Sequence, residues 1–159
     1  MKKSLLIVVS LALLAAMLVG CSGSKAPSLL TVTGKVAKTM DLTEADFTAH
    51  ATELQYHDPW VGDTGGSDVM EKGILLSDLI AMVKPTSDVT TVALICTDGK
   101  EYDVKIADAQ QYKIMLVHWV AGKVLDQKTG GPVKVAYSAD ATSYTSDAWA
   151  WWVVKVEFK

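Results

Sequence analysis

Residues 114–135 read "IMLVHWVAGKVLDQKTGGPVKV". With Lys113 in front, the first part is an apolar run over 113–120 and predicts a core strand. His118 lies within that run, where an imidazole is usually a core or half-buried side chain. With "AY" behind, the last part predicts a turn followed by a strand over 130–137. Two strands and their connection thus stand in the last third of the chain.

Working outward, the upstream pattern repeats the strand signal. "TVALIC" (91–96) is a continuous apolar run and predicts a central strand. "DG" at 98–99 is a turn signal, and "KEYDVKI" (100–106) alternates like the return strand of a hairpin. "ADAQQY" (107–112) predicts one helical turn. "GILLSDLIAMV" (73–83) has apolar residues at 75, 76, 79, 80 and 83, the spacing of a helix with one buried face, and Pro85 ends it. "PWVGDTGGSD" (59–68) is turn-rich and predicts a loop. "AHATELQY" (49–56) predicts a strand that runs out into it. "DLTEADF" (41–47) carries a helix start, with Thr43 as cap and Asp46 three residues on. "LLTVTGKV" (29–36) predicts a strand with a bend at Gly34. Downstream, "YSADATSYTSDAW" (137–149) predicts a surface loop and "AWWVVKVEF" (150–158) a last strand. Strands dominate over two short helical segments, so the fold class is α+β, mostly β.

The ordered series "LTEADF", "GILLSDLI", "TDGKEYDV", 114–135 and "WWVVKVEF" resembles the molybdopterin-binding domain of the sulfite oxidase family. The resemblance covers about 30–159 and implies that family's fold, mixed sheets with short helices. Scaffold positions agree: Gly99, Gly122, Leu125, Gly130, Pro132 and Trp152 match the family pattern.

Positions that would hold the cofactor do not agree. The family's metal-binding cysteine follows "L-Q"; here "LQYHD" puts Tyr56 in its place, between Gln55 and His57. A phenol with an ordinary pKa near 10 is a hard, poor substitute for a soft thiolate. The family's "H-G-x-P-x-R" becomes "TGGPVK", so Thr129 stands for the histidine and Lys134 for the arginine. Lysine keeps a point charge for a phosphate and loses the bidentate fork. Trp151 replaces the family's last-strand lysine. Lys100 replaces a hairpin tyrosine, with Tyr102 two residues on and on the same strand face. With Trp60 in the following loop, these residues form the candidate cleft.

The resemblance therefore implies a domain that kept the fold and dropped molybdopterin: no cofactor is expected, and the activity is a non-catalytic ligand-binding or accessory role. The alternative is a molybdopterin-dependent oxidoreductase with an altered metal ligand. A third reading, electron transfer through a bound flavin or haem, finds no "CxxCH" and no glycine-rich dinucleotide fingerprint. Strand alternation puts Trp149 and Trp151 on one face and Trp152 on the other. Trp152 is then a core residue while the others cover a sheet edge, or Trp60 and Trp151 line the vacated cleft. His50, His57 and His118 show no metal-ligand spacing, so no metal site is expected.

The N-terminus addresses compartment. "MKK", an apolar run and "LVGC" form a secretory signal over 1–20 that resembles the bacterial lipobox. That resemblance makes Cys21 the acylated first residue of the mature chain, carrying a diacylglyceryl group with two acyl chains such as palmitate. "SGSKAPS" (22–28) is a flexible tether reaching at most about 25 Å, and 29–159 forms one domain. The expected location is the cell membrane or envelope, lipid-anchored and extracytoplasmic, with the membrane as one partner and an unknown small molecule or membrane protein as another. A net charge of −3, fifteen lysines and no arginine stripe give no footprint for nucleic acid. Cys96, in an apolar strand, is expected as a small core residue.

Overall fold

The computed structural model describes residues 26–62 and 65–159. The signal segment 1–20, Cys21 and the first part of the tether lie outside the described residues. No described helix is long and apolar enough to cross a membrane.

Among the described residues ten strands form two five-stranded sheets. The first runs β2-β1-β10-β5-β6, from β1 (Ser28–Gly34), β2 (Met40–Thr43), β5 (Thr91–Cys96), β6 (Glu101–Lys105) and β10 (Val153–Phe158). β1 and β10 run parallel, Thr31 facing Lys155, and the other pairs are antiparallel, so the sheet is mixed. The second sheet runs β3-β4-β7, with β8 and β9 sharing the far edge of β7. It uses β3 (Thr52–Asp58), β4 (Ser67–Leu75), β7 (Ile114–Val120), β8 (Lys123–Val124) and β9 (Lys134–Tyr137). Short helices among the described residues join them: α1 (Glu44–His50), α2 (Leu76–Val83) and α3 (Ile106–Gln111).

One apolar core draws on both sheets. Leu30, Val32, Leu94 and Val156 meet Ile74, Leu116 and Val135, with Leu79 and Val83 of α2 in the same cluster. Each such side chain contributes on the order of 1.5–3 kcal/mol on leaving water. β7 is buried at five successive residues from Ile114 to His118, as a strand covered on both faces must be. Gly34 has φ +97, and a Cβ there would stand 2.2 Å from the Phe158 carbonyl oxygen. Only glycine lets β1 leave its sheet that close to β10.

The local signals hold where they are local. Thr43 caps α1, taking the Asp46 amide while the Asp46 carboxylate takes the Thr43 amide. The β5–β6 hairpin turns at 97–100 with Gly99 at φ +83. Three expectations change. β2 is an additional strand that ends on the cap residue itself. β4 occupies 67–75, where 67–68 are expected in a loop and 73–75 in a helix; α2 starts only at Leu76. Its alternation Val69, Glu71, Gly73 is disguised by a charge and a glycine, and the apolar 74–76 run belongs to both elements. The third is at 150–152, which are not part of the last strand. There the chain crosses between the sheets: Val135 N donates to Ala150 O at 2.9 Å, Trp152 N to Gly130 O at 2.7 Å, and Thr97 N to Trp152 O at 3.0 Å. Trp152 takes φ +56 to make that crossing, so strand alternation does not apply to the tryptophans.

Candidate functional site

The crossing segment closes one side of a cleft of about 1010 Å3 lined from both sheets. β6 and its turn contribute Tyr102 and Lys100. The β7–β9 connection contributes Val124, Leu125, Lys128 and Thr129. The loop after β3 contributes Trp60, and the crossing contributes Trp149, Trp151 and Trp152. The Trp151 ring lies flat against Gly130, where a Cβ would stand 1.9 Å from it. The glycine, at φ +93, thus allows both the turn and the seat for the indole.

Asp58 and Lys134 also line the cleft. Asp58 is the last residue of β3, Lys134 the first of β9, and Glu71 sits on β4; the three are 0%, 1% and 0% exposed. Lys134 Nζ donates to Asp58 Oδ2 and stands 2.5 Å from Glu71 Oε1. Asp58 Oδ1 accepts the Trp60 amide at 2.8 Å, which ties the loop to the triad. The Glu71 contact is a close ion pair, and among the described residues neither carboxylate oxygen has a hydrogen-bond partner of ordinary geometry. Burial pushes the Glu71 carboxyl up to about 7, against the pull of the Lys134 charge. Indole faces complete the cover of the ammonium, which lies 4.9 Å from the Trp151 centroid and 5.4 Å from that of Trp149.

The structure thus brings together Trp60, Lys100, Tyr102, Thr129, Lys134 and Trp151 of the sequence-derived set. It does not bring Gln55, Tyr56 or His57 to the cleft. Gln55 and His57 face outward on β3. His57 pairs with Asp68 at 2.9 Å, which raises its pKa. Tyr56 points inward yet stops in the core, its hydroxyl donating to Lys113 O at 3.2 Å. Burial, and then the Glu71 charge, push that phenol well above its ordinary range. Asp58, two residues on along the same face, is what reaches the cleft. Lys134 departs from expectation too: its charge is taken up by two carboxylates and is not free to clamp a phosphate. Thr129 donates its hydroxyl to Asp126 Oδ1 at 2.9 Å within a capping box. Trp152 is 40% exposed at the mouth and not a core residue, its Nε1 held by Gln127 O at 2.7 Å. Trp149 is the buried one, at 6%.

Asp58 was within reach of the sequence, since Leu54, Tyr56 and Asp58 share a strand face. Glu71 was hidden with the rest of β4. His118 is buried as expected, with Nδ1 2.6 Å from Pro132 O and, among the described residues, no partner at Nε2. Among the described residues no group of three His, Cys, Asp or Glu side chains could hold a metal ion.

No family model matches the chain, and no curated protein matches it. Among solved structures, the sulfane dehydrogenase SoxCD from Paracoccus pantotrophus is similar, with a TM-score of 0.65 at 17% identity. The match covers 85% of this chain and 39% of that one, so this chain spans well under half of the other's length. At such identity the likeness is one of fold. The fold class is α+β, mostly β, of the sulfite-oxidase type.

Proposed function

We propose that the chain is a lipid-anchored extracytoplasmic module that binds a small molecule in the cleft and carries out no redox chemistry. The observation that carries this reading is the cleft floor, where a closed Lys134–Asp58–Glu71 triad stands. Beside a few valines and Leu125, the lining side chains are indoles, lysines, carboxylates and hydroxyls, with no thiol among the described lining residues. Such a donor set does not fit a molybdenum held by a soft thiolate. Cys96 is buried on β5 outside the lining, and burial holds its thiol up at about 11. Nor does the floor offer a fixed cation for the cofactor's phosphate, since Lys134 is already paired and Lys100, Lys123 and Lys128 stand at the exposed rim.

What the cleft does offer is an aromatic wall in a volume suited to a drug-sized ligand. Indole faces give large contact area at low conformational cost, and the lysine rim suits a ligand with an acidic group.

The test is elemental analysis and native mass spectrometry of the chain matured in a host that makes the molybdenum cofactor. The expected result is no molybdenum, with either the bare mass or a metal-free small molecule. Molybdenum at near one per chain would replace this reading with that of an oxidoreductase using an altered metal ligand.

A further inference from the structure

The large apolar side chains exposed among the described residues are Trp60, Met70, Val124 and Trp152. All but Met70 line the cleft mouth. Isolated exposed apolar side chains are ordinary, but a cluster of this kind marks a contact surface. Lys100, Lys123 and Lys128 stand exposed among them. Indoles beside lysines form the combination that settles at a bilayer's headgroup layer, the rings at the interface and the ammonium groups against lipid phosphates. Asp126 and Asp147 line the same mouth. Asp126 is committed to the Lys128 and Thr129 amides at 2.8 and 2.9 Å. The net electrostatic pull is therefore modest, and the indoles carry most of the contact.

The position of the chain's entry selects the occupant. β1 runs parallel to β10 with Thr31 opposite Lys155. Because the two strands are parallel, the start of β1 at Ser28 lies at the same end of the sheet as the start of β10 at Val153, beside the crossing segment. The tether thus joins the domain at the end of the first sheet that carries the cleft. Its contour is at most about 25 Å. A domain of this size is about 35 Å across, so on that tether it cannot turn its far end to the bilayer.

We propose that the cleft mouth docks on an anionic lipid surface, with Trp60, Val124 and Trp152 seated among the headgroups and Lys100, Lys123 and Lys128 against the phosphates. The orientation argument rests on the lipid-anchor reading of Cys21.

The test uses the full chain, purified from membranes and reconstituted into phosphatidylcholine–phosphatidylglycerol vesicles brominated near the headgroup. Tryptophan emission should fall by up to about two fifths relative to unbrominated vesicles, since two of the chain's five indoles sit at quencher depth. Trp60→Ala, at an exposed position that risks little in folding, should lose a clear share of that quenching. In phosphatidylcholine alone the quenching should weaken. Emission unchanged by bromine in the anionic vesicles overturns the docking. The intact mass of the same preparation shows separately whether acyl chains are present, so loss of the anchor reading and loss of the docking are read independently. Quenching decides the docking whichever mass is found.

Discussion

The two sheets bury different chemistry. In the first, β5 and β10 place Val92, Leu94, Val156 and Phe158 in the core, all at 1% exposure or less. In the second, β3, β4 and β9 converge on Asp58, Glu71 and Lys134, equally inaccessible. Apolar burial is non-directional and insensitive to pH. A buried ionic cluster is costly unless complete, because each charge has left water and depends on its partners. The first sheet is thus a scaffold that tolerates substitution by volume, and the second a device that tolerates only substitutions keeping its charges matched.

The largest expected effect is on the ionic side. Lys134→Ala leaves two carboxylates facing each other in the interior and should destabilise the domain by about 3–5 kcal/mol, read as a fall in the urea midpoint. The contrast predicts that Leu94→Ala costs a comparable or smaller amount, about 2–5 kcal/mol, and that its cost is the same across pH. A pH-independent loss in both variants would erase the distinction between the sheets.

The pH dependence itself comes next. Burial raises the Glu71 carboxyl from its ordinary value of 4.5 to about 7 in the fold, so the folded state holds a proton that the unfolded state releases. The stability this gives is fully present below about pH 4.5 and is lost as pH rises through about 7. Over that window the loss amounts to roughly 3 kcal/mol at most. Glu71→Gln keeps the shape, removes the titration and should flatten this fall, leaving the variant more stable than the parent at alkaline pH. Denaturation midpoints of both chains at about pH 5 and about pH 8 decide it; equal slopes would show that another group accounts for the fall.

The smallest effect belongs to the scaffold. Cys96→Ala should cost about 1–2 kcal/mol through a small cavity, with no change in ligand binding. Rapid thiol labelling of the folded parent would contradict the burial on which that rests.

Features readable from the sequence alone share one property: their cause lies within a few residues. The capping box at Thr43, the turn at 98–99, the apolar run of β5 and the β7-to-β9 stretch were legible because backbone and neighbour interactions determine them. β4 was not, since its strand character comes from pairing with β3 and β7 and outweighs the helical spacing of its last residues. The cleft was half legible. Resemblance to a fold picked out Trp60, Lys100, Tyr102, Thr129, Lys134 and Trp151, while the same alignment placed Tyr56 at a position that strand pairing turns into the core.

By itself, the sequence determined an α+β chain dominated by strands, the order of most of them, and a candidate set around 100–102, 129–134 and 151. The tertiary structure decided how those residues are used. Asp58 meets Lys134 across 76 residues, and Glu71 reaches the same ammonium from a strand that no local pattern announced. The tryptophans converge because 150–152 cross between sheets instead of extending one. Each of these depends on contacts between segments far apart in the chain, and such contacts exist only once the two sheets have packed.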